Sequence, residues 1–212
     1  MRIQARVIVG LCAAVLGGLC FAVPAAQTAG KRGSLALETV RHWNDIPRGV
    51  TLKLMEKYGA PDEMEPDRLV WNNNVPWKRT TVWNASGDIL EQTVACSVPA
   101  GQLGALADFD PAILVSQNGM ALSVFGDTEE HNFLTVNLAY EVIHGIKDPI
   151  SARHFYDRTI ELSIAGKSSP YMHWIMFQPE PAPRFNWPIE LWRHDSAPTD
   201  PRWLNMASLH RQ

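Results

Sequence analysis

The chain predicts an α+β fold, with an antiparallel sheet built from hairpins and helices grouped mainly toward its two ends. Three observations carry this expectation. Turn-forming stretches rich in Asn separate short runs of Trp, Val and Thr; one segment alternates with the period of two expected of a strand; and three segments show helical apolar spacing between an entry and a stop signal.

The first 25 residues read as a bacterial signal peptide. Arg2 and Arg6 give a positive start, residues 7–23 form an almost uncharged apolar run, and Val23-Pro24-Ala25 has the small-residue character of a cleavage site. Gly10, Gly17 and Gly18 dilute the run and Pro24 ends it, which argues against a membrane anchor. Cys20 follows Leu19, where a lipid-attachment signal wants a small residue. No later stretch is an uninterrupted apolar span, so the mature chain is expected to be soluble, without a transmembrane segment, and periplasmic or secreted after cleavage near Ala25.

A first short helix is expected over 35–43. The next covers 47–58: Asp45-Ile46-Pro47 opens it, Val50, Leu54 and Tyr58 share a face, and Gly59 with Pro61 stops it. Residues 69–72 and 79–84 read as a hairpin across Asn73-Asn74-Val75-Pro76. Residues 88–99 are the best strand, with Leu90, Val94, Cys96 and Val98 on one face and Glu91, Thr93, Ala95 and Ser97 on the other. One or two helical turns follow over 102–108. A second hairpin joins 113–116 to 120–125 across Gln117-Asn118-Gly119, where Asn-Gly suits positive φ. Asp127 and Glu130 form a capping box for a helix over 127–144 that stops at Gly145, and Asp148-Pro149 opens another over 149–165. Residues 171–178 are apolar on both faces, as a covered strand would be. Seven of the 15 prolines and four of the eight tryptophans lie between Pro170 and Trp203, which predicts an irregular tail packed on the domain. The expected organisation is a leader over 1–25, one domain over 26–178 and the tail over 179–212.

Removing the leader takes Cys12 and Cys20 with it and leaves Cys96 alone, so no internal disulfide is possible. A mature chain of about 187 residues builds a core without one. Loss of Arg2 and Arg6 leaves 17 Lys and Arg against 22 Asp and Glu, a net charge of −5. That balance argues against nucleic-acid binding, which needs a basic face. On a buried strand face, Cys96 reads as a small hydrophobe rather than a nucleophile, which would need access and a depressed pKa.

The chain has no Gly-x-Ser-x-Gly elbow, phosphate loop, dinucleotide fingerprint, Cys-x-x-Cys or His-Glu-x-x-His, and its seven histidines fall at no ligand spacing that compels a metal. No cofactor and no metal are therefore expected. Three constellations remain, each with a plainer alternative. On the long helix, Glu130, Asn137, Glu141 and His144 share a stripe, and Glu141 with His144 at i, i+3 has the spacing of helical metal or proton-sharing pairs; alternatively Glu130 caps the helix and His144 complements its C-terminus. In the first hairpin, Trp71, Asn73, Asn74, Trp77, Lys78 and Arg79 offer rings, amides and cations to a sugar or anionic ligand; alternatively Asn and Pro make the turn and the tryptophans anchor the sheet. In the tail, Trp187 and Trp192 are either a partner-binding edge or part of a strap across the core.

Glu56-Lys57-Tyr58-Gly59-Ala60-Pro61-Asp62-Glu63, Leu69-Val70-Trp71-Asn72-Asn73, Pro76-Trp77-Lys78-Arg79-Thr80 and Leu90-Glu91-Gln92-Thr93-Val94, continued by Glu129-Glu130, Asn132-Phe133-Leu134, Asn137-Leu138-Ala139 and Arg153-His154-Phe155-Tyr156, resemble an uncharacterised family of exported bacterial proteins with no assigned activity. The likeness spans about residues 45 to 165. Two departures stand out: only 84–88 where the family has a longer His-containing loop, and Val124-Phe125-Gly126 where it has a cysteine before the long helix. A weaker likeness, limited to the helix, Gly59-Ala60-Pro61 and the hairpin, is to small outer-membrane assembly lipoproteins, but the lipid-bearing cysteine is absent. The expectation is a non-catalytic binding or accessory protein of the cell envelope, whose partner is a protein or a small envelope ligand. The alternative is an envelope hydrolase using Glu130, Glu141 and His144.

Overall fold

A computed structural model describes residues 25–179. Residues 1–24 of the expected 1–25 leader and the tail aromatics Trp187 and Trp192 lie outside the described residues.

The chain forms α1 (Ala25–Val40), α2 (Asp45–Tyr58), β1 (Glu63–Met64), β2 (Arg68–Asn72), β3 (Arg79–Trp83), β4 (Leu90–Ala95), a 3-10 turn at Ala100–Gln102, α3 (Leu103–Phe109), β5 (Leu114–Val115), β6 (Ala121–Gly126), α4 (Glu129–Ile143), α5 (Pro149–Ile164) and a 3-10 turn at Pro170–Met172. The six strands make one sheet in the order β1-β2-β3-β4-β6-β5, and every pairing is antiparallel. This is the α+β architecture the patterning predicts. Among the described residues, no helix is long and apolar enough to cross a membrane.

The stop signals act as expected. Gly59, Gly145 and Gly166 take φ of 81°, 65° and 77° at the ends of α2, α4 and α5, a conformation costly for any residue with a Cβ. Asp148 caps α5 by accepting from the Ser151 amide at 3.0 Å, with Pro149 in the first helical position. Hydroxyl and amide hydrogen bonds to this carboxylate, both from Ser151, hold its pKa below the usual value.

Strand register sorts the side chains into two faces. Trp71, Thr80, Gln92 and Val124 stand opposite one another in one row, and Val70, Thr81, Glu91 and Phe125 in the next. Two apolar cores form on the first face. Leu69, Trp71, Val82 and Leu90 pack with Ala36, Val40, Trp43 and Leu54 from the α1–α2 arm. Val94, Leu122 and Val124 pack with Phe133, Leu134 and Val136 of α4, which α3 and α5 cover from outside. The helices therefore share one face side by side, rather than only flanking the sheet at its ends. Leu122, Leu134 and Leu138 are fully buried; each contributes roughly 1.5–3 kcal/mol through its removal from water.

Three expectations are corrected. Thr128, not Asp127, caps α4: its hydroxyl accepts from the His131 amide at 3.3 Å, and the helix starts at Glu129. Residues 171–178 are not a strand; a 3-10 turn begins at Pro170, and Asn137 of α4 takes the backbone groups a ladder would use. Its amide donates to the carbonyls of Tyr171 and Trp174 at 3.1 and 2.9 Å, and its oxygen accepts from the Met176 amide at 2.7 Å. The segment is apolar because Tyr171, Ile175 and Phe177 face the α4 core. Finally, the regular part of the long strand ends at Ala95, although Cys96 and Val98 still donate to the carbonyls of Met120 and Gly119.

Candidate functional site

The densest polar cluster lies where α2, the β2–β3 hairpin, β4 and α4 meet, and its centre is Glu129. The Thr128 cap puts this residue first in α4, where the helix's positive end favours a carboxylate. One carboxylate oxygen accepts from the Tyr58 hydroxyl at 2.6 Å, the Trp77 indole N–H at 2.7 Å and the Gln92 amide at 3.2 Å. The other pairs with the Lys57 ammonium at 2.6 Å. The Lys57 ammonium also sits 4.9 Å from the centre of the Tyr58 ring and 5.3 Å from that of Phe133. The Glu129 side chain is 12% exposed.

A buried amide chain extends the cluster into the sheet. The Gln92 amide also donates to the Thr80 hydroxyl at 3.3 Å, and the Asn74 amide donates to the same oxygen at 2.9 Å. The Gln92 carbonyl accepts from Asn132 at 3.1 Å, and Asn132 donates equally to the Leu90 carbonyl at 3.1 Å. The Asn132 oxygen lies over Gly126, where a Cβ would come within 2.7 Å of it. Burial, and then the hydrogen bond to Glu129, push the Tyr58 phenol well above its ordinary pKa, so it remains a donor at physiological pH.

These contacts define what Glu129 can do. A general base must present a free lone pair to the proton it removes. Here four donors from three other segments converge on one carboxylate, an arrangement that ties α2, the hairpin and β4 to the start of α4.

The predicted site residues are placed differently. Trp71 and Trp77 are 2% and 1% exposed, with their indole N–H groups spent on the Gly59 carbonyl and on Glu129. Their rings are therefore closed to a ligand, and the hairpin is anchored by its tryptophans. Asn73 takes φ 54° at the turn, Asn74 holds Thr80, and Arg79 lies 4.0 Å from Glu63; Lys78 is partly buried.

The helix stripe does not converge either. Glu130 is exposed on the first turn of α4, and Asn137 is buried under the 171–176 segment. Glu141 accepts from the Tyr171 hydroxyl at 2.5 Å and pairs with Lys147 at 3.1 Å. This hydrogen bond, ahead of burial, pushes the Tyr171 pKa up to about 12. His144 is exposed at the end of α4, its ring nitrogen 2.8 Å from the Tyr140 carbonyl. Cys96 is 3% exposed, as expected of a core thiol.

Sequence reasoning chose Glu130 over Glu129 because it set the α4 cap one residue early. No local pattern marks the cluster, because the donors lie between 37 and 72 residues from Glu129 along the chain. Among the described residues, no group of three or more His, Cys, Asp or Glu side chains is arranged to hold a metal. One open cavity of about 250 Å³ lies between α5 and the following loop, lined by Phe155, Leu162, Lys167 and Pro170 among others. No family model, no curated protein and no solved structure matches this chain.

Proposed function

We propose that the chain is an exported protein of the bacterial cell envelope, periplasmic or secreted once its leader is removed, that binds a protein partner or a small envelope ligand without catalysing a reaction. The observation that carries the non-catalytic reading is the engagement of Glu129, the carboxylate at the centre of the polar cluster, by four internal donors, three on one oxygen and Lys57 on the other. The residues a hydrolase would use as acid and base give further support. Glu130 is exposed, Glu141 is engaged by Tyr171 and Lys147, and His144 closes a helix end. Export is supported by the Arg2 and Arg6 start, the apolar run and the small residues at 23–25.

The test is native mass spectrometry of untagged protein purified from the periplasm, followed by reconstitution of any complex from purified components. The expected result is a chain lacking about 25 residues that binds a defined partner or ligand stoichiometrically. Hydrolysis of an envelope glycan or peptide that disappears in Glu141→Gln, with folding intact, would replace this reading with the enzyme.

A further inference from the structure

One stripe of α5 borders a cavity rather than a packed neighbour. Phe155, Arg158, Thr159 and Leu162 recur along it at helical spacing, and Gly166 at φ 77° reverses the chain so that the Lys167 amide donates to the Leu162 carbonyl at 2.9 Å. The loop from Lys167 to Pro170 thereby becomes a second wall, and an open cavity of about 250 Å³ lies between loop and helix. The wall is held in place. Tyr171, next in the chain, donates to Glu141 of α4 at 2.5 Å and sets its ring 5.0 Å from that of Phe155. The floor is apolar, because Phe155, Leu162 and Pro170 line it and the Thr159 hydroxyl is spent on the Phe155 carbonyl at 2.7 Å. The rim is cationic, since Arg158 and Lys167 line the same cavity and are exposed.

We propose that this cavity binds a monoanion carrying one ring-sized apolar group: a carboxylate, from either a free aromatic acid or a peptide C-terminus that ends in an apolar residue. Size sets the apolar part. A cavity of about 150 Å³ takes up benzene and whole drug-sized ligands need about 300 Å³ or more, so about 250 Å³ admits one ring with its substituent. Charge sets the rest. Arg158 shares its guanidinium with Glu161 at 3.0 Å, and Lys147, 5.0 Å from the centre of the Phe155 ring, is paired with Glu141 at 3.1 Å. Lys167 has no ion pair among the described residues, so one cationic charge at the rim is uncompensated. The last carbonyls of α5 lie beside it and carry partial negative charge, which weighs against a dianion such as a phosphate monoester. Ser168, whose hydroxyl meets the His173 ring nitrogen, and Ser169 also line the cavity and offer neutral donors to a carboxylate. Such a site presupposes the non-catalytic binding role proposed for the chain and names its ligand class.

The test titrates the full mature chain, followed by proton–nitrogen NMR, with phenylacetate and with acetyl-Gly-Phe, each beside its neutral amide derivative. Both acids are expected to shift backbone N–H signals within 155–169 saturably, with Kd of about 1 mM or tighter, and both neutral derivatives to bind at least about tenfold more weakly. Acetyl-Gly-Phe binding about tenfold tighter than phenylacetate would support a chain terminus as the source of the carboxylate, and the reverse a free acid. Lys167→Gln, a change at an exposed side chain, should weaken both acids about threefold, and Lys53→Gln on α2 should weaken neither. No saturable shift up to about 20 mM, equal binding of acid and neutral derivative, an unchanged affinity in Lys167→Gln, or shifts centred outside 155–170 would overturn the proposal. A stoichiometric complex in native mass spectrometry that forms equally well with Lys167→Gln, in a chain that fails this titration, would remove the cavity and leave the broader binding role standing.

Discussion

Gly126→Ala is expected to destabilise the protein by about 1–3 kcal/mol, the cost of overpacking a closed site. The added Cβ would lie 2.7 Å from the Asn132 oxygen and 3.4 Å from the His131 Cβ. Two routes relieve the clash, and the cheaper sets the cost. Rotating Asn132 breaks its bonds to Leu90 and Gln92, both 3.1 Å, in a residue with no solvent exposure. Each lost bond costs roughly 0.5–1.5 kcal/mol, and about 1–3 more where an acceptor is left buried without a partner. Shifting the end of β6 away from α4 is the less expensive route, because only one ladder pair, Leu90 with Gly126, is strained. Urea unfolding followed by far-UV circular dichroism would read this as a midpoint lowered by roughly 0.5–1.5 M for a slope near 2 kcal/mol/M. In an Asn132→Ala background the same substitution should cost at least about 1 kcal/mol less, since the opposing oxygen is gone. The reasoning fails if Gly126→Ala stabilises the native chain by the roughly 0.4–1 kcal/mol that restricting an unfolded glycine ordinarily gives.

The adjacent carboxylates of α4 should separate cleanly: Glu129→Gln is expected to lower stability by about 2–3 kcal/mol as three charge-assisted bonds become neutral ones, whereas Glu130→Gln should stay within about 0.5 kcal/mol. Equal effects in chemical denaturation would refute the assignment. Native Cys96 should resist thiol reagents until the protein unfolds, and rapid labelling would contradict its burial. Tyr171 should ionise near pH 12 by difference absorbance, above the usual phenol value. Because its folded pKa is raised, the stability it contributes is complete below pH about 10 and is lost as pH climbs toward 12; Tyr171→Phe should remove that alkaline dependence, and an unaltered one would sink the Glu141 pairing.

The sequence makes the framework legible wherever local chemistry decides the outcome. Asp148-Pro149 and Gly166 bound α5, and Asn118-Gly119 turns the second hairpin with Gly119 at φ 69°. It fails where long-range contacts decide. The residues over 171–178 have the composition of a covered strand, and only the side chain of Asn137, more than 30 residues away, determines that their backbone groups are bound by α4 instead. The site fails for a related reason. Thr128 and Asp127 are both competent caps, and a one-residue choice between them decides whether Glu129 or Glu130 points into the cluster. The four donors to Glu129 are separated from it by between 37 and 72 residues, a distance at which no periodicity carries information.

Glu129 serves as an internal acceptor joining separate segments, and a double-mutant cycle between Trp77→Phe and Glu129→Gln tests this role most directly. Phenylalanine preserves most of the ring packing of Trp77 against Phe133, whose centroid is 5.0 Å away, and removes the indole donor. If the 2.7 Å hydrogen bond is made to a carboxylate held in place by its other donors, the two substitutions should be non-additive by about 1–2 kcal/mol. Additivity within about 0.3 kcal/mol would mean that the charge of Glu129 adds nothing to this bond, and the account of the cluster as a junction held by a carboxylate would not stand.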